Sequence, residues 1–254
     1  SAITSFLAAT ATKVAIYVIL RFLFSVFQPG FLAEVPTLDL ILYPFAILAM
    51  FAASYTAILQ RDLKRMLAYS SIGQVGYMLL GIALLSESGL MATMIHLFNH
   101  GITKAALFMG VGVYVLNGSG SFYHNLRGRG KTMPWTSAAM VVAGLSLIGV
   151  PGTAGFLSKW LLVEATLEQG LWPIALLIVA SSLLAVIYVW KLIETLYLAQ
   201  PAEGLQDQNV PLMMMIPLWV MALACIYFGF DTDITLSAAR SAAEGLLAGS
   251  AGMR

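Results

Sequence analysis

The sequence has 254 residues, of which 60% are hydrophobic and only 10% are charged, and its mean hydropathy is +0.88. Soluble domains contain about a quarter charged residues, so this composition excludes an ordinary soluble protein and indicates an integral membrane protein. The formal net charge of +1 gives no reason to expect a nucleic acid partner, and the single Cys225 excludes an intrachain disulfide and a Cys-based metal cage.

The N-terminal end shows no secretory signal, because a positively charged segment and a small-residue cleavage site are both missing there. The sequence starts at Ser1 without a methionine and is already inside an apolar segment. We therefore expect it to be the C-terminal part of a longer polypeptide.

Apolar segments follow one another along the chain. An α-helix needs about 20 apolar residues to cross a hydrocarbon core of about 30 Å, and such stretches predict about eight spanning or half-spanning segments. A turn at 28–30 and an acidic loop at 201–209 separate some of them, and an Ala-rich tail over 231–254 suits a short interfacial helix. The predicted fold class is all-α, a polytopic transmembrane helix bundle forming a single membrane domain. The segments are residues 5–27, 38–59, 66–85, 90–116, 133–148, 156–167, 171–198 and 211–230.

Two basic stretches lie outside the predicted spans and suggest an orientation. Residues 61–65 hold four charges in five positions, and the Gly-rich loop over 117–131 is the strongest basic loop. The positive-inside rule places such loops on the cytoplasmic side, and two spans separate them, as a shared side requires. Glu34 and Glu87 are then predicted on the other side.

A cluster of helix breakers follows the fifth predicted span. Pro151, Gly152 and Gly155 lie within the sequence GVPGTAG, which cannot continue a regular helix. Lys159 follows this break by one turn, and transporters place ions where helices are broken. Glu164 is five positions further on and therefore on another face of the helix, so it is not expected to pair with Lys159 within the helix.

The fourth span contains a polar stripe inside its apolar sequence. At about 100° per residue, His96, His100 and Lys104 fall within roughly 80° of one another, and Asn99 and Thr103 share that side. Ionisable groups at membrane depth are costly and usually line an ion path or a wet cavity. Histidine titrates near neutral pH, which suits proton hopping. Two alternatives stay open. One is a metal site on His96 and His100, although no third ligand accompanies these two histidines. The other is a structural role in which a buried histidine bonds a neighbouring helix.

Three further lysines lie in or near predicted spans. Lys13 is in the middle of the first span. Either it takes part in a proton relay, or its extended side chain reaches the membrane surface. Lys64 lies among four charges, a pattern that favours a solvated turn in which Asp62 pairs locally. Lys191 and Glu194 are spaced for a structural pair on one helix.

Several kinds of chemistry have no motif in the sequence. The sequence has no phosphate loop, no nucleophile elbow, no haem or iron–sulfur spacing and no dinucleotide fingerprint. We therefore expect no cofactor, no metal site and no redox or hydrolytic site within this chain, and the recognisable chemistry is the movement of charge.

Four motifs in order give a family resemblance that covers nearly all of residues 1–198. They are TKVAIYVILR, RDLKRMLAYSSIGQVGYMLLG, HLFNHGITKAALF and SLIGVPGTAGFLSKWLL. Together they closely resemble the antiporter-like proton-translocating subunits that are shared by respiratory complex I, membrane-bound hydrogenases and Mrp-type sodium/proton antiporters.

The resemblance implies a specific architecture. The family has about fourteen transmembrane helices in two inverted five-helix repeats, each with a broken helix, and this chain looks like the seventh helix onward. Residues 1–85 would then hold the end of the first repeat and the start of the second, residues 86–230 the second repeat, and residues 231–254 the tail.

The resemblance also implies a proton relay. Lys13 matches the lysine of the broken seventh helix, Lys64 the lysine of the eighth helix, and Lys159 the residue of the broken twelfth helix. The glutamate that partners the seventh-helix lysine belongs to the fifth helix, which this sequence lacks, and Gly101 stands where many relatives have Ala. The expected relay residues are Lys13, Lys64, His96, His100, Lys104 and Lys159, with Asp62, Asn99, Thr103 and Glu164 as supporting residues.

The motifs AYSSIGQVGYM and HLFNHGITKAALF favour an Mrp-type D subunit that translocates protons as part of a multisubunit cation/proton antiporter. The alternatives are an N- or M-type proton-pumping subunit of an NADH-quinone oxidoreductase or hydrogenase complex, and a structural subunit that does not conduct. In each case the expected partners are other membrane subunits and the lipid bilayer, with protons and, in the Mrp setting, Na⁺ as transported ions. The expected location is the bacterial inner (plasma) membrane.

Overall fold

Eleven α-helices form in the part of the chain that the computed structural model describes, which is residues 2–27, 37–200 and 210–248. The predicted turn at 28–30, Glu34 and the acidic loop over 201–209 lie outside these residues. The helices are α1 (Ala2–Arg21), α2 (Thr37–Leu59), α3 (Leu63–Ala83), α4 (Glu87–Leu116), α5 (Tyr123–Leu126), α6 (Arg129–Thr132), α7 (Pro134–Ile148), α8 (Ala154–Glu168), α9 (Trp172–Ile193), α10 (Leu212–Phe230) and α11 (Asp233–Ala248).

The helix lengths confirm the predicted all-α membrane fold. Helix α4 has 30 residues, about 45 Å of rise, whereas α7 and α8 have 15 residues each and correspond to half-spanning segments. A π-helical turn extends α1 through Phe22–Val26, and another extends α9 through Glu194–Leu198. Within the described residues, five stretches are long and apolar enough to cross a membrane, judged by length and composition: Phe6–Val26, Leu40–Leu59, Leu63–Ala83, Trp172–Leu198 and Leu212–Phe230.

Side-chain caps fix where the two most buried long helices begin. The carboxylate of Asp62 accepts hydrogen bonds from the backbone N–H groups of Lys64 (2.7 Å) and Arg65 (3.1 Å) and so caps α3. The hydroxyl of Ser86 accepts from the N–H of Gly89 (3.1 Å) and caps α4. Such caps stabilise a helix by about 1 kcal/mol each, because they satisfy donors that have no partner inside the helix.

Helix α4 lies at the centre of the bundle, where it packs against α1, α3, α7, α8, α10 and α11. Its contact with α3 depends on small residues, because a methyl group on Gly81 would lie 2.7 Å from the carbonyl oxygen of Gly89. Close helix approach through glycine is typical of membrane bundles. The outward faces of the surrounding helices carry exposed apolar side chains such as Phe45, Leu48 and Leu183, as expected for a surface in contact with lipid.

The two basic stretches meet at one end of the bundle. The N–H of Leu63 donates to the carbonyl of Ser121 (2.8 Å), and the N–H of Tyr123 donates to the carbonyl of Arg61 (3.1 Å). The hydroxyl of Ser121 donates to Asp62 (2.8 Å). Burial and the nearby Asp62 carboxylate raise the pKa of Tyr123, so its hydroxyl stays protonated. The structure thus places both basic stretches on the same side, as the orientation predicted from sequence requires.

The chain between α7 and α8 is broken as predicted. Helix α7 ends at Ile148, and Gly149 (φ +90°) and Gly152 (φ +84°) adopt left-handed conformations that side chains disfavour. Gly155, predicted as part of the break, lies instead in the first turn of α8. It is needed there because a methyl group at this position would overlap the backbone carbonyl of Ser146 in α7.

Candidate functional site

The polar stripe of α4 is buried along its whole length. His96, Asn99, His100, Thr103 and Lys104 are each at most 5% exposed. Because α4 is surrounded by other helices, these side chains point at neighbouring protein and not at lipid. Their contacts therefore identify what the stripe faces.

The N-terminal half of the stripe, His96 and Asn99, contacts the broken helix. Nδ1 of His96 lies 2.8 Å from the hydroxyl of Ser158 in α8. The side-chain amide of Asn99 donates to the carbonyl of Ala154, the first residue of α8 (2.7 Å). Helix α4 is thus bonded directly to the segment that follows the break.

The next turn of the stripe contacts the segment before the break. The hydroxyl of Thr103 lies 3.0 Å from that of Ser146 in α7 and 3.6 Å from the sulfur of Cys225 in α10. Ser146 in turn accepts from the N–H of Gly155 (3.2 Å). Both halves of the broken helix are therefore connected through polar groups to one face of α4.

Lys159 occupies the break itself. Its ammonium donates to the carbonyl oxygens of Ile148 (2.7 Å) and Leu147 (3.2 Å). These carbonyls belong to the last turn of α7, where no further helical N–H is available to them and where the helix dipole is negative. The nitrogen also lies 4.9 Å from the centre of the Tyr77 ring. The broken helix thus supplies an electrostatically favourable site for a buried cation.

Lys104 is fully buried at the other end of the stripe. Its ammonium donates to the carbonyl of Leu67 (2.7 Å) and the hydroxyl of Ser70 (2.6 Å), both on α3. Lysine without a carboxylate partner at this depth needs such oxygen atoms, because an uncompensated buried charge costs several kcal/mol.

Lys13 of α1 lies inside the bundle beside α4. It is 6% exposed, and its ammonium donates to the carbonyl of Ala8 in the same helix (2.9 Å). A methyl group on Gly101 would lie 3.9 Å from Cε of Lys13, which is ordinary contact. The glycine at this position therefore leaves space beside Lys13. We call the set of Lys13, His96, Asn99, His100, Thr103, Lys104 and Lys159 the polar row.

The two histidines of the polar row stack with their ring centres 6.0 Å apart and their planes 8° apart. Among the described residues, neither ring nitrogen of His100 has a hydrogen-bond partner, and neither has Nε2 of His96. A cavity of about 10 Å³ adjoins them, which is close to the space that one water molecule needs. The cavity is lined by Gln74, His96, His100, Thr103, Ser146, Leu147 and Gly155.

The polar row has basic groups and no acidic ones. In the described part of the chain, none of the buried side chains is Asp or Glu. Lys13, Lys104, Lys159 and His96 all interact electrostatically with His100. A positive charge on one of these groups therefore disfavours a further charge on His100.

Three residues that the sequence assigned to the site lie elsewhere. Lys64 is half-buried in the first turn of α3, one turn nearer the basic end than Leu67, whose carbonyl bonds Lys104. Asp62 is the cap of α3. Glu164 is exposed and lines a surface cavity at the opposite end of α4, together with Glu87.

The sequence interpretation missed the residues that join the polar row to its neighbours. Ser146 and Ser158 flank the break and bond Thr103 and His96, respectively. On α3, Gln74 and Tyr77 contribute to the same region. A signal for them exists, since Ser70, Gln74 and Tyr77 are spaced four and three residues apart, as on one face of a helix. In the described residues, no group of three His, Cys, Asp or Glu is placed to hold a metal ion.

Comparison with known proteins gives matches over most of the chain. Residues 1–185 match the family model described as NADH:quinone oxidoreductase/Mrp antiporter, TM. The NADH-quinone oxidoreductase subunit N of Desulforudis audaxviator is 35% identical over 248 residues, 92% of this chain and 49% of the relative. The F(420)H(2) dehydrogenase subunit L of Methanosarcina mazei is 34% identical over 235 residues, 87% of this chain and 34% of the relative. The chain thus spans half or less of the length of these relatives.

Solved structures show the same fold. A chain of the membrane-bound sulfane sulfur reductase, an archaeal respiratory membrane complex, superposes with a TM-score of 0.84 at 30% identity. The match covers 98% of this chain and 50% of that one. A chain of the Mrp complex from Dietzia sp. gives a TM-score of 0.81 at 23% identity, covering 92% of this chain and 51% of that one, and this second likeness concerns the fold alone.

Proposed function

The chain belongs to the family of NADH:quinone oxidoreductase and Mrp antiporter transmembrane subunits, and from this membership we propose that it moves protons across the membrane through the polar row. In this proposal it is one subunit of a multisubunit complex in a bacterial inner membrane. The relatives cited here are a subunit of an NADH-quinone oxidoreductase and chains of an Mrp complex and of an archaeal respiratory membrane complex, which supports the proposal of membrane subunits as partners.

The observation that carries the proposal is the buried contact of titratable groups with a broken helix. Lys159 bonds the free carbonyls of α7, His96 reaches Ser158, and His100 has unbonded ring nitrogens beside a cavity of about 10 Å³. A buried polar site without partners is costly if it serves only structure. A site that exchanges protons through water explains the same arrangement, because water in the cavity would connect nitrogens that are too far apart to bond directly.

The relay that the geometry supports differs from the one expected from sequence. It runs from Lys13, beside Gly101, to His100, and from there to Lys104 on one side and through His96 to Lys159 on the other. Lys64 is omitted, because it lies at the capped start of α3. Since the described residues include no buried carboxylate, we propose that the acidic partner of Lys13 comes from outside the described chain.

Two kinds of complex are candidates for this subunit. A curated relative at 35% identity is named NADH-quinone oxidoreductase subunit N, and the structure at 30% identity belongs to a respiratory membrane complex. These relatives favour a respiratory, proton-pumping complex as the first proposal. Sodium/proton exchange in an Mrp-type complex, which the motifs favoured, is the second.

The test uses two lysines in matched surroundings. Lys159 donates to two backbone carbonyls and lies 4.9 Å from the centre of the Tyr77 ring. Lys191 also donates to two carbonyls, those of Ile58 and Gln60, and lies 4.9 Å from the centre of the Tyr123 ring, but it is outside the polar row. We expect Lys159→Met to reduce proton flux at least about tenfold and Lys191→Met to leave it nearly unchanged.

Flux is measured as acidification of inverted membrane vesicles that contain the intact complex, and is normalised to the amount of assembled complex. Equal flux in the Lys159→Met variant and the unmodified protein would show a non-conducting structural subunit and would overturn the proposal. A proton flux that depends on external Na⁺ would identify the Mrp-type alternative.

A further inference from the structure

The side chain of Tyr77 touches two titratable members of the polar row. The nitrogen of Lys159 lies 4.9 Å from the centre of its ring, within the range of a cation–π interaction. The His96 ring lies 5.6 Å away, centre to centre, with the planes inclined by 55°. Tyr77 is only 2% exposed, so its ring is enclosed between its own helix, α3, and the broken helix.

The hydroxyl of Tyr77 is anchored on a different helix. It lies 2.5 Å from the hydroxyl of Ser181 and 3.3 Å from that of Ser182, both on α9. Ser182 also donates to the carbonyl of Ile178 (3.1 Å), so its own orientation is fixed by α9. The ring is therefore positioned by contacts that do not involve α8, which carries Lys159.

We propose that Tyr77 is a positioning residue for Lys159. Its aromatic ring stabilises the protonated ammonium of Lys159 at the helix break. The inference rests on the proposed function, since it concerns the same relay. Its physical basis is that the face of an aromatic ring attracts a cation but not a neutral amine, and most strongly where water is excluded. In the described residues no buried carboxylate is available to do this, so the ring and the carbonyls of α7 are the groups that favour the charged form.

The charge of Lys159 is also affected by its other neighbours. His96 and His100 of α4 interact with it electrostatically, and Lys13 of α1 is coupled to both histidines. On the remaining helices packed against α8, the nearby titratable groups are Tyr188 of α9, which interacts with Tyr77, and Cys225 of α10, which bonds Thr103. A proton on either histidine would disfavour the charge on Lys159, whereas the ring of Tyr77 favours it.

Lys159 loses its proton as pH rises, so a weaker ring interaction makes it lose the proton at lower pH. The alkaline limb of the flux–pH profile should then move to lower pH, by about half a unit to one and a half units for the energy of a cation–π contact.

The experiment compares side chains of nearly equal shape at position 77 in the intact complex. Tyr77→Phe keeps the ring and removes the hydroxyl, and we expect it to retain most of the alkaline limb. Replacement of Tyr77 by trifluorophenylalanine weakens the attraction of the ring for a cation without removing its volume, and should shift the limb to lower pH. Tyr77→Leu should shift it at least as far. The readout is vesicle acidification across a series of pH values.

The matched control is Tyr123, whose ring contacts Lys191 at the same distance of 4.9 Å. The same replacements at Tyr123 should leave the flux–pH profile unchanged. Identical profiles for Phe and trifluorophenylalanine at position 77, or an equal shift at position 123, would overturn the inference. If Lys159→Met has already left flux unchanged, the proposed function itself fails, and the two failures are thus distinguishable.

Discussion

The buried ring nitrogens of His100 are easier to explain by a functional role than by a structural one. Both of its ring nitrogens are buried, and neither has a partner among the described residues. A histidine kept for stability would be expected to bond a neighbour, because an unpaired buried polar group costs about 1–3 kcal/mol. The proposed relay gives His100 a role that these nitrogens fit, because there it connects Lys13, Lys104 and His96.

We predict that His100→Leu lowers proton flux at least about tenfold while leaving the melting temperature of the complex unchanged or slightly higher. The apolar side chain removes two unsatisfied nitrogens and interrupts the relay. Flux in vesicles and differential scanning fluorimetry of the purified complex provide the two measurements. His124→Leu, at an exposed position in the short helix α5, is the control. A large drop in melting temperature that accounts for the lost flux would assign His100 a structural role.

Several residue assignments were predictable from the sequence, and others were not. Helical spacing alone placed His96, His100 and Lys104 on one buried face, because periodicity determines which side chains share a side. For Lys64 the charge pattern favoured a solvated turn, which agrees with its half-buried place at the start of α3, whereas the relay role rested on the family resemblance alone. Its place in the motif gave no information about depth, which depends on where the Asp62 cap starts α3.

The broken helix shows what glycine does at the scale of an element. The sequence predicted the interruption, since Pro151 and Gly152 exclude a regular helix there. It gave no sign that Gly155 serves a different purpose, because the need for a missing side chain arises only when α7 folds back against α8. Tertiary contacts of this kind cannot be obtained from local sequence.

We predict that Gly155→Ala destabilises the protein by about 1–3 kcal/mol or more and reduces flux, because the added methyl group would overlap the carbonyl of Ser146 and separate the two halves of the broken helix. Gly112→Ala is the matched control, since a methyl group there would meet no atom within 4 Å. That variant should be neutral or more stable by up to about 1 kcal/mol, through helix propensity. Thermal unfolding of the assembled complex measures both, and equal stability of the two variants would contradict this account.

At the scale of the whole molecule, α4 separates a basic end from an acidic one. The stretches over 61–65 and 117–131 join at its C-terminal end, whereas Glu87 and Glu164 line a cavity at its N-terminal end. Hydropathy and charge were sufficient to predict about eight segments and a shared side for the basic loops. They did not predict that α4 is the central helix, because that depends on which faces pack together.

We predict that single cysteines introduced by Arg127→Cys and Glu164→Cys react with a membrane-impermeant maleimide from opposite sides, with position 127 accessible from the cytoplasm. Both positions are exposed in the structure. The native Cys225 is buried and should not react in the folded protein, so the unmodified protein serves as the background control. Labelling of both positions from the same side would refute the orientation.

The parallel stacking of His96 and His100 limits how many protons that part of the row holds at once. Two positive charges about 6 Å apart repel each other by about 3 kcal/mol at an effective dielectric constant near 20. A second proton on the pair is therefore disfavoured by about a hundredfold. In the proposed relay, the pair would therefore hold one proton at a time, and a proton that reaches one ring would favour release from the other without any helix having to move.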